Sequence, residues 1–356
     1  MELEEVAVGT ISPEAFAKET GLRYITDNKP GFGRIKKKDT YIYIDTANKE
    51  ITDPKVIDRI TKLRIPHVWE GVWICPTANG HLQATGFDSK NRKQYRYHAK
   101  WQSARNLDKF SKMLPFGKKL SQLRQQLDHD LAEKQFTRNK ILAVVVSLLD
   151  NTLIRIGNKC YEKANKSYGL TTLRDKHVKV QGKDVKISFV GKKSVCQEVI
   201  LTDRRLATLV RKCKEIPGYE LFQYYDAEGN RHPVSSEDVN GYLRENTGID
   251  LTAKDFRTWG GSITAIQHLL AEPRPEAEKE IQKKMTETVK LVASKLGNTA
   301  AVCRNYYIHP LVLESYASGD LEKIAKSKGN TRNKEFQELG DEEIVFLKLL
   351  EEVAGQ

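Results

Sequence analysis

The sequence predicts an α+β protein of two domains. A small β-rich domain covers residues 1–103, and a larger, mostly α-helical domain with a small antiparallel sheet covers residues 104–356. Three observations predict this. Before residue 103, apolar and polar side chains alternate with period two at several places, the pattern of half-buried strands. From about Ala104 the apolar spacing becomes helical. Between residues 177 and 201 alternation returns once, around two turn signals, before helical spacing resumes.

In the first domain, Thr40-Tyr41-Ile42-Tyr43-Ile44 reads as a strand, and residues 53–63 as a short helix with Val56, Ile57, Ile60 and Leu63 on one face. Residues 69–75 and 81–85 are strands joined by the turn Pro76-Thr77-Ala78-Asn79-Gly80. Residues 92–98 interleave basic and aromatic side chains, with Arg92, Gln94, Arg96 and His98 on one face and Lys93, Tyr95 and Tyr97 on the other. Glutamine can read an adenine edge, and arginine or lysine can hold a phosphate. Residues 107–131 then read as one basic amphipathic helix, and residues 139–149 as a buried central helix that ends just before Arg155. An arginine there is costly to bury unless something anionic meets it.

Two hairpin turns follow, Gln181-Gly182-Lys183-Asp184 and Gly191-Lys192-Lys193-Ser194. The second is not a Walker A loop, because Lys186 stands where the first glycine is required and Lys193 replaces the Ser/Thr. Helices are expected over 206–214, 236–245, 256–270 and 276–296, the last capped by Gly297. After Pro310 the tail is helical again, with Ile344, Leu347, Leu350 and Val353 at core spacing.

Composition narrows the function classes. The chain is 39% hydrophobic and 30% charged over 356 residues, which fits a folded rather than a disordered protein. A formal charge of +12 favours a polyanionic partner, nucleic acid by default. The start, Met1-Glu2-Leu3-Glu4-Glu5, lacks the features of a signal peptide, and the apolar run at 141–149 is too short to span a bilayer. A cytoplasmic protein with no membrane partner is expected, associated with the nucleoid if bacterial. Five cysteines form no CxxC pair and read as reduced, mostly buried thiols. The eight histidines fall into no metal-binding spacing, so no metal is expected.

Four stretches carry the chemistry: Ile154-Arg155-Ile156-Gly157, Phe189-Val190-Gly191-Lys192, Lys254-Asp255-Phe256-Arg257-Thr258, and the run from Leu296 to Pro310 containing Asn298, Tyr306 and Tyr307. Cutting a phosphodiester through a protein nucleophile needs an attacking side chain, donors for the non-bridging oxygens and an acid for the leaving oxygen. A tyrosine hydroxyl titrates near about 10 and needs cationic help. Arginine's planar fork suits phosphate, and lysine can give up a proton. Two arginines, a lysine and a tyrosine meet these needs without a metal.

These stretches, in this order, resemble the type IB DNA topoisomerases of the small poxvirus-like and bacterial kind. The resemblance runs from about Gly21 to Leu321 and includes Gly21-Leu22-Arg23-Tyr24, Leu63-Arg64-Ile65-Pro66, Val72-Trp73-Ile74-Cys75-Pro76, Gly80-His81-Leu82-Gln83-Ala84-Thr85-Gly86 and Tyr168-Gly169-Leu170-Thr171-Thr172-Leu173-Arg174. It implies the catalytic fold shared by tyrosine recombinases and type IB topoisomerases, arranged as a clamp around double-stranded DNA. It also implies a monomer without a cofactor that relaxes supercoils through a 3′-phosphotyrosyl link to Tyr307. Arg155 and Arg257 would clamp the scissile phosphate, Lys192 would be the general acid, and Asn298 would donate where several family members carry histidine. Arg92, Lys93, Gln94, Tyr95 and Tyr97 would contact DNA, while Tyr306 would pack. A tyrosine recombinase is the nearest alternative, but Lys254 occupies the place where recombinases usually carry histidine. A DNA-binding protein without chemistry is the other.

Overall fold

The computed structural model describes residues 12–38, 40–327 and 336–355, so the acidic start at residues 1–5 lies outside the described residues. The chain divides into two units, Met1–Lys109 and Phe110–Gln356.

In the first unit, α1 (Pro13–Glu19) is followed by β1 (Phe32–Lys37), β2 (Thr40–Ile44), α2 (Pro54–Lys62), β3 (Glu70–Ile74), β4 (Leu82–Phe87) and β5 (Lys93–Tyr97). The five strands form one antiparallel sheet in the order β2-β1-β3-β4-β5. Helix α2 starts where Asp53 accepts a hydrogen bond from the Lys55 amide and Pro54 occupies the first turn. Its Ile60 is buried with Val72, Ile74 and Ala84, flanked by Val56 and Leu63. The strands expected at 40–44, 69–75, 81–85 and 92–98 are all present. Helix α3 (Ala99–Ser111) begins directly after β5, ahead of the expected onset at Ala104. The reason is His98, whose Nδ1 accepts from the Lys100 amide at 3.1 Å, a cap outside the usual Ser/Thr/Asp/Asn set.

The second unit is mostly helical. Helix α4 (Met113–Ala132) leads to α5 (Arg138–Thr152) and α6 (Lys159–Asn165). A three-stranded sheet follows, built from β6 (Val178–Gln181), β7 (Asp184–Val190) and β8 (Cys196–Thr202), and then α7 (Arg204–Glu215). A short hairpin, β9 (Gln223–Tyr225) and β10 (Arg231–Pro233), precedes α8 (Ser236–Thr247), α9 (Ala253–Leu270), α10 (Glu278–Leu296) and α11 (Ala300–Tyr306). The last helices are α12 (Pro310–Ser318), α13 (Asp320–Lys326) and α14 (Asp341–Ala354).

Helix α5 is the spine of this unit, since Ile141, Leu142, Ala143, Val144, Val145 and Val146 are all fully buried. Gly297 ends α10 at φ +57°, the expected left-handed cap.

Two expectations are corrected. The single helix expected over 107–131 is broken at Lys112 into α3 and α4. Pro115 explains the break: it has no amide to offer the Ser111 carbonyl, and its ring would clash with that carbonyl in a continuous helix. The expected core position Val353 is 48% exposed, because the end of α14 runs past the core that buries Val345, Phe346 and Leu350.

Among the described residues no cysteine is in a disulfide; Cys75, Cys213 and Cys303 are buried, Cys160 and Cys196 exposed. Among the described residues, no helix is long and apolar enough to cross a membrane.

Candidate active site

Arg155 is positioned by the end of α5. The chain leaves that helix through Leu153 in the left-handed region at φ +56° and then runs extended. The Leu170 amide donates to the Arg155 carbonyl at 2.9 Å and the Thr171 amide to the Ile156 carbonyl at 2.7 Å. Gly169 permits this approach, because a methyl group there would stand 2.5 Å from the Arg155 carbonyl oxygen and from the Gly157 nitrogen. A two-sided hydrogen-bonded strap therefore fixes the arginine's backbone.

Arg257 lies in the second turn of α9, which opens on a capping box formed by Thr252 and Asp255. Its side chain is 4% exposed. One terminal nitrogen donates to the Leu296 carbonyl at 2.8 Å and the other to the Leu153 carbonyl. These carbonyls close α10 and α5, so the buried cation sits on the negative ends of two helix dipoles. Desolvation, with Arg155 close by, pulls its pKa down to about 10, against the opposing pull of Tyr307. It is still charged at neutral pH.

Tyr307 stands at the end of α11, with its ring centroid 5.2 Å from the Arg257 guanidinium carbon. Its backbone is pressed onto α9: a methyl group at Gly261 would stand 2.5 Å from the Tyr307 carbonyl oxygen. Next to it, the His309 amide donates to the buried Ser262 hydroxyl at 2.9 Å. The ring of Tyr307 packs against the core, and Tyr306 is half-buried beside it in the chain.

Asn298 follows the α10 cap, and its Oδ1 accepts from Arg155 at 2.7 Å. Only the amide oxygen can face an arginine, so Nδ2 points the other way. Nδ2 is buried without an acceptor in the described structure, and so is Nε of Arg257. Two unmet buried donors beside two guanidinium groups form a place for an anion with several oxygens.

Lys192 lies on a tight turn at the tip of the β7–β8 hairpin and is exposed, unlike the four residues just described. The hairpin is tied to the strap after Arg155 by the Tyr168 amide, which donates to the Val190 carbonyl at 2.8 Å. Arg155, Arg257, Asn298 and Tyr307 are thus gathered by direct contacts, with Lys192 on an adjoining projection.

In the first unit, β5 presents Tyr95 and Tyr97, with rings stacked at 6.0 Å and 47% and 38% exposed. Arg92 pairs with Asp88 at 2.7 Å, and Gln94 also donates to Asp88 at 3.1 Å. Lys93 pairs with Asp27 at 2.6 Å. The Arg92 hydrogen bond, helped by turn amides, holds the Asp88 carboxyl down at about 2. Sequence reasoning missed both carboxylates and the two helix-closing carbonyls. The spacing of Asp88 and Arg92 across a turn was the one available signal.

Comparison with known proteins adds an independent line. Residues 98–335 match the family model described as eukaryotic DNA topoisomerase I, catalytic core, and residues 40–88 match bacterial DNA topoisomerase IB, N-terminal domain. The chain is 34% identical over 293 residues to DNA topoisomerase 1B of Acanthamoeba polyphaga mimivirus, covering 80% of this chain and 87% of that protein. It is 25% identical over 249 residues to DNA topoisomerase 1B of Vaccinia virus (strain Copenhagen), covering 69% and 76%. A match at 24% identity to DNA topoisomerase 1 of Mycosarcoma maydis covers 61% of this chain and 23% of that one.

Proposed function

The chain belongs to the type IB DNA topoisomerases, and from that premise we propose that it relaxes supercoiled duplex DNA by nicking one strand, letting it swivel and resealing it. The Tyr307 hydroxyl, its proton released to solvent, attacks the scissile phosphorus. A bond from the tyrosyl oxygen to phosphorus forms as the bond from phosphorus to the 5′-oxygen breaks. Lys192 passes a proton to that leaving oxygen, giving a 5′-hydroxyl end and a 3′-phosphotyrosyl link. Religation runs the same steps backwards. Arg155 and Arg257 neutralise the non-bridging oxygens, and Asn298 donates to one of them through Nδ2. The ester link stores the energy of the broken bond, so neither ATP nor a metal is required. All five groups come from one chain, which suits a monomer. Arg92, Lys93, Gln94, Tyr95 and Tyr97 would contact the duplex from the first unit.

The observation that carries this reading is the Tyr307 ring beside the Arg257 guanidinium, together with the Arg155–Asn298 pair and two buried donors, Arg257 Nε and Asn298 Nδ2, that no group of the described structure meets. The test is relaxation of supercoiled plasmid in EDTA without ATP. Wild type and Tyr306→Phe should relax it, whereas Tyr307→Phe should bind DNA yet form neither relaxed product nor covalent complex. Relaxation by Tyr307→Phe, or none by wild type, would overturn the proposal.

A further inference from the structure

We infer that Gln197 is a positioning residue that locks the Lys192 turn against the turn carrying Asn298. This rests on the acid role proposed for Lys192. Gln197 lies on β8 opposite Phe189, half-buried. Two glycines, one in each turn, close on its side chain. A methyl group at Gly191 would stand 3.1 Å from Gln197 Cγ, and one at Gly297 would overlap the Gln197 amide nitrogen. Each glycine directly precedes a residue of the site, Lys192 in one case and Asn298 in the other.

Backbone conformation accounts for only one of them. Gly297 has φ +57° and serves as a helix cap, whereas Gly191 has φ −93°, which any residue adopts. At Gly191 it is contact with the glutamine that favours a missing side chain.

The two turns are unequal in stiffness. The Asn298 turn is pinned by its own amide to the Ala293 carbonyl at 2.9 Å, by the Gly297 amide to Ser294 at 3.1 Å, and by Arg155 at 2.7 Å. The Lys192 turn is an exposed hairpin tip, closed by the Gly191 amide on the Val195 carbonyl at 2.8 Å and by the Ser194 amide on the Gly191 carbonyl at 3.1 Å. A side chain wedged between them transmits the position of the half-buried turn to the exposed one. Its loss should therefore displace Lys192 more than Asn298.

The experiment is single-turnover cleavage of duplex DNA carrying an ordinary scissile phosphodiester or a 5′-bridging phosphorothiolate, whose sulfur leaves without needing a proton. Gln197→Ala should slow the ordinary substrate roughly 10- to 100-fold and the phosphorothiolate by no more than about 2-fold, since misplacing an acid costs only the step that uses it. Gln197→Met, which refills the contact, should recover most of the rate, and DNA affinity should not change. If Gln197→Ala unfolds, Gly191→Ala pushes on the same side chain and should give the same signature. Wild-type cleavage by Gln197→Ala, or equal loss on both substrates, would overturn the inference. Lys192→Ala is the control: if it loses equally on both substrates, the acid assignment itself has failed.

Discussion

At the candidate site, Arg257 uses one planar group for two purposes. Its guanidinium satisfies two helix-closing carbonyls and still faces Tyr307. A lysine ammonium is a point donor and cannot hold that planar bridge. Arg257→Lys should therefore cut the cleavage rate by about 10²–10³ while leaving DNA affinity nearly unchanged, as read by single-turnover cleavage and a binding titration. At position 298 the side chain does not titrate. Asn298→His should add a step to the pH–rate profile near about 6.5, with the variant faster, relative to wild type, on the acid side where the ring is charged. In the first unit, the Asp88 carboxyl titrates at about 2 instead of 3.8. The Arg92 pair thus contributes stability that is complete above the higher value and is lost as pH falls through the lower one. A carboxyl NMR titration of Asp88 with a midpoint near 3.8 would contradict this. The side chains of the candidate site could be picked out in the sequence because each sits in a distinctive short stretch. The Leu153 and Leu296 carbonyls were not, because a backbone acceptor leaves no mark on residue type.

Among the elements, α9 carries Arg257 toward the site and Trp259 toward the C-terminal helix. The Trp259 indole donates to Glu343 of α14 at 2.9 Å, and Glu343 also receives Arg124 of α4 at 2.7 Å. Arg124 pairs in addition with Asp150 of α5 at 2.8 Å, so one carboxylate cluster joins four helices. Glu343→Ala should cost about 3 kcal/mol in denaturant unfolding, because it strips a half-buried arginine of one of its partners and leaves the buried Trp259 indole donor unmet. A change within experimental error would show that Asp150 alone suffices. The helix α10 was readable from its apolar period, and α5 from its nearly unbroken apolar run. The β9–β10 hairpin was not, because its three-residue strands are too short for alternation to register. The break between α3 and α4 was readable at Pro115, but the amphipathic pattern on either side of it masked the signal.

At the scale of the whole molecule, the excess of 59 Lys and Arg over 47 Asp and Glu should make DNA binding fall steeply with salt through counterion release. A flat plot of log affinity against log salt would argue that phosphates are not the main contact. The clasp at Arg257 has a further consequence, one of timing. It joins residues 104 and 39 positions away along the chain, and Tyr307 comes later still. Contacts of such long range need both ends of the loop to be synthesised and its closure entropy to be met. A chain still leaving the ribosome therefore lacks the assembled clasp, and under the proposed mechanism no half-made copy can open a phosphodiester that it is unable to reseal.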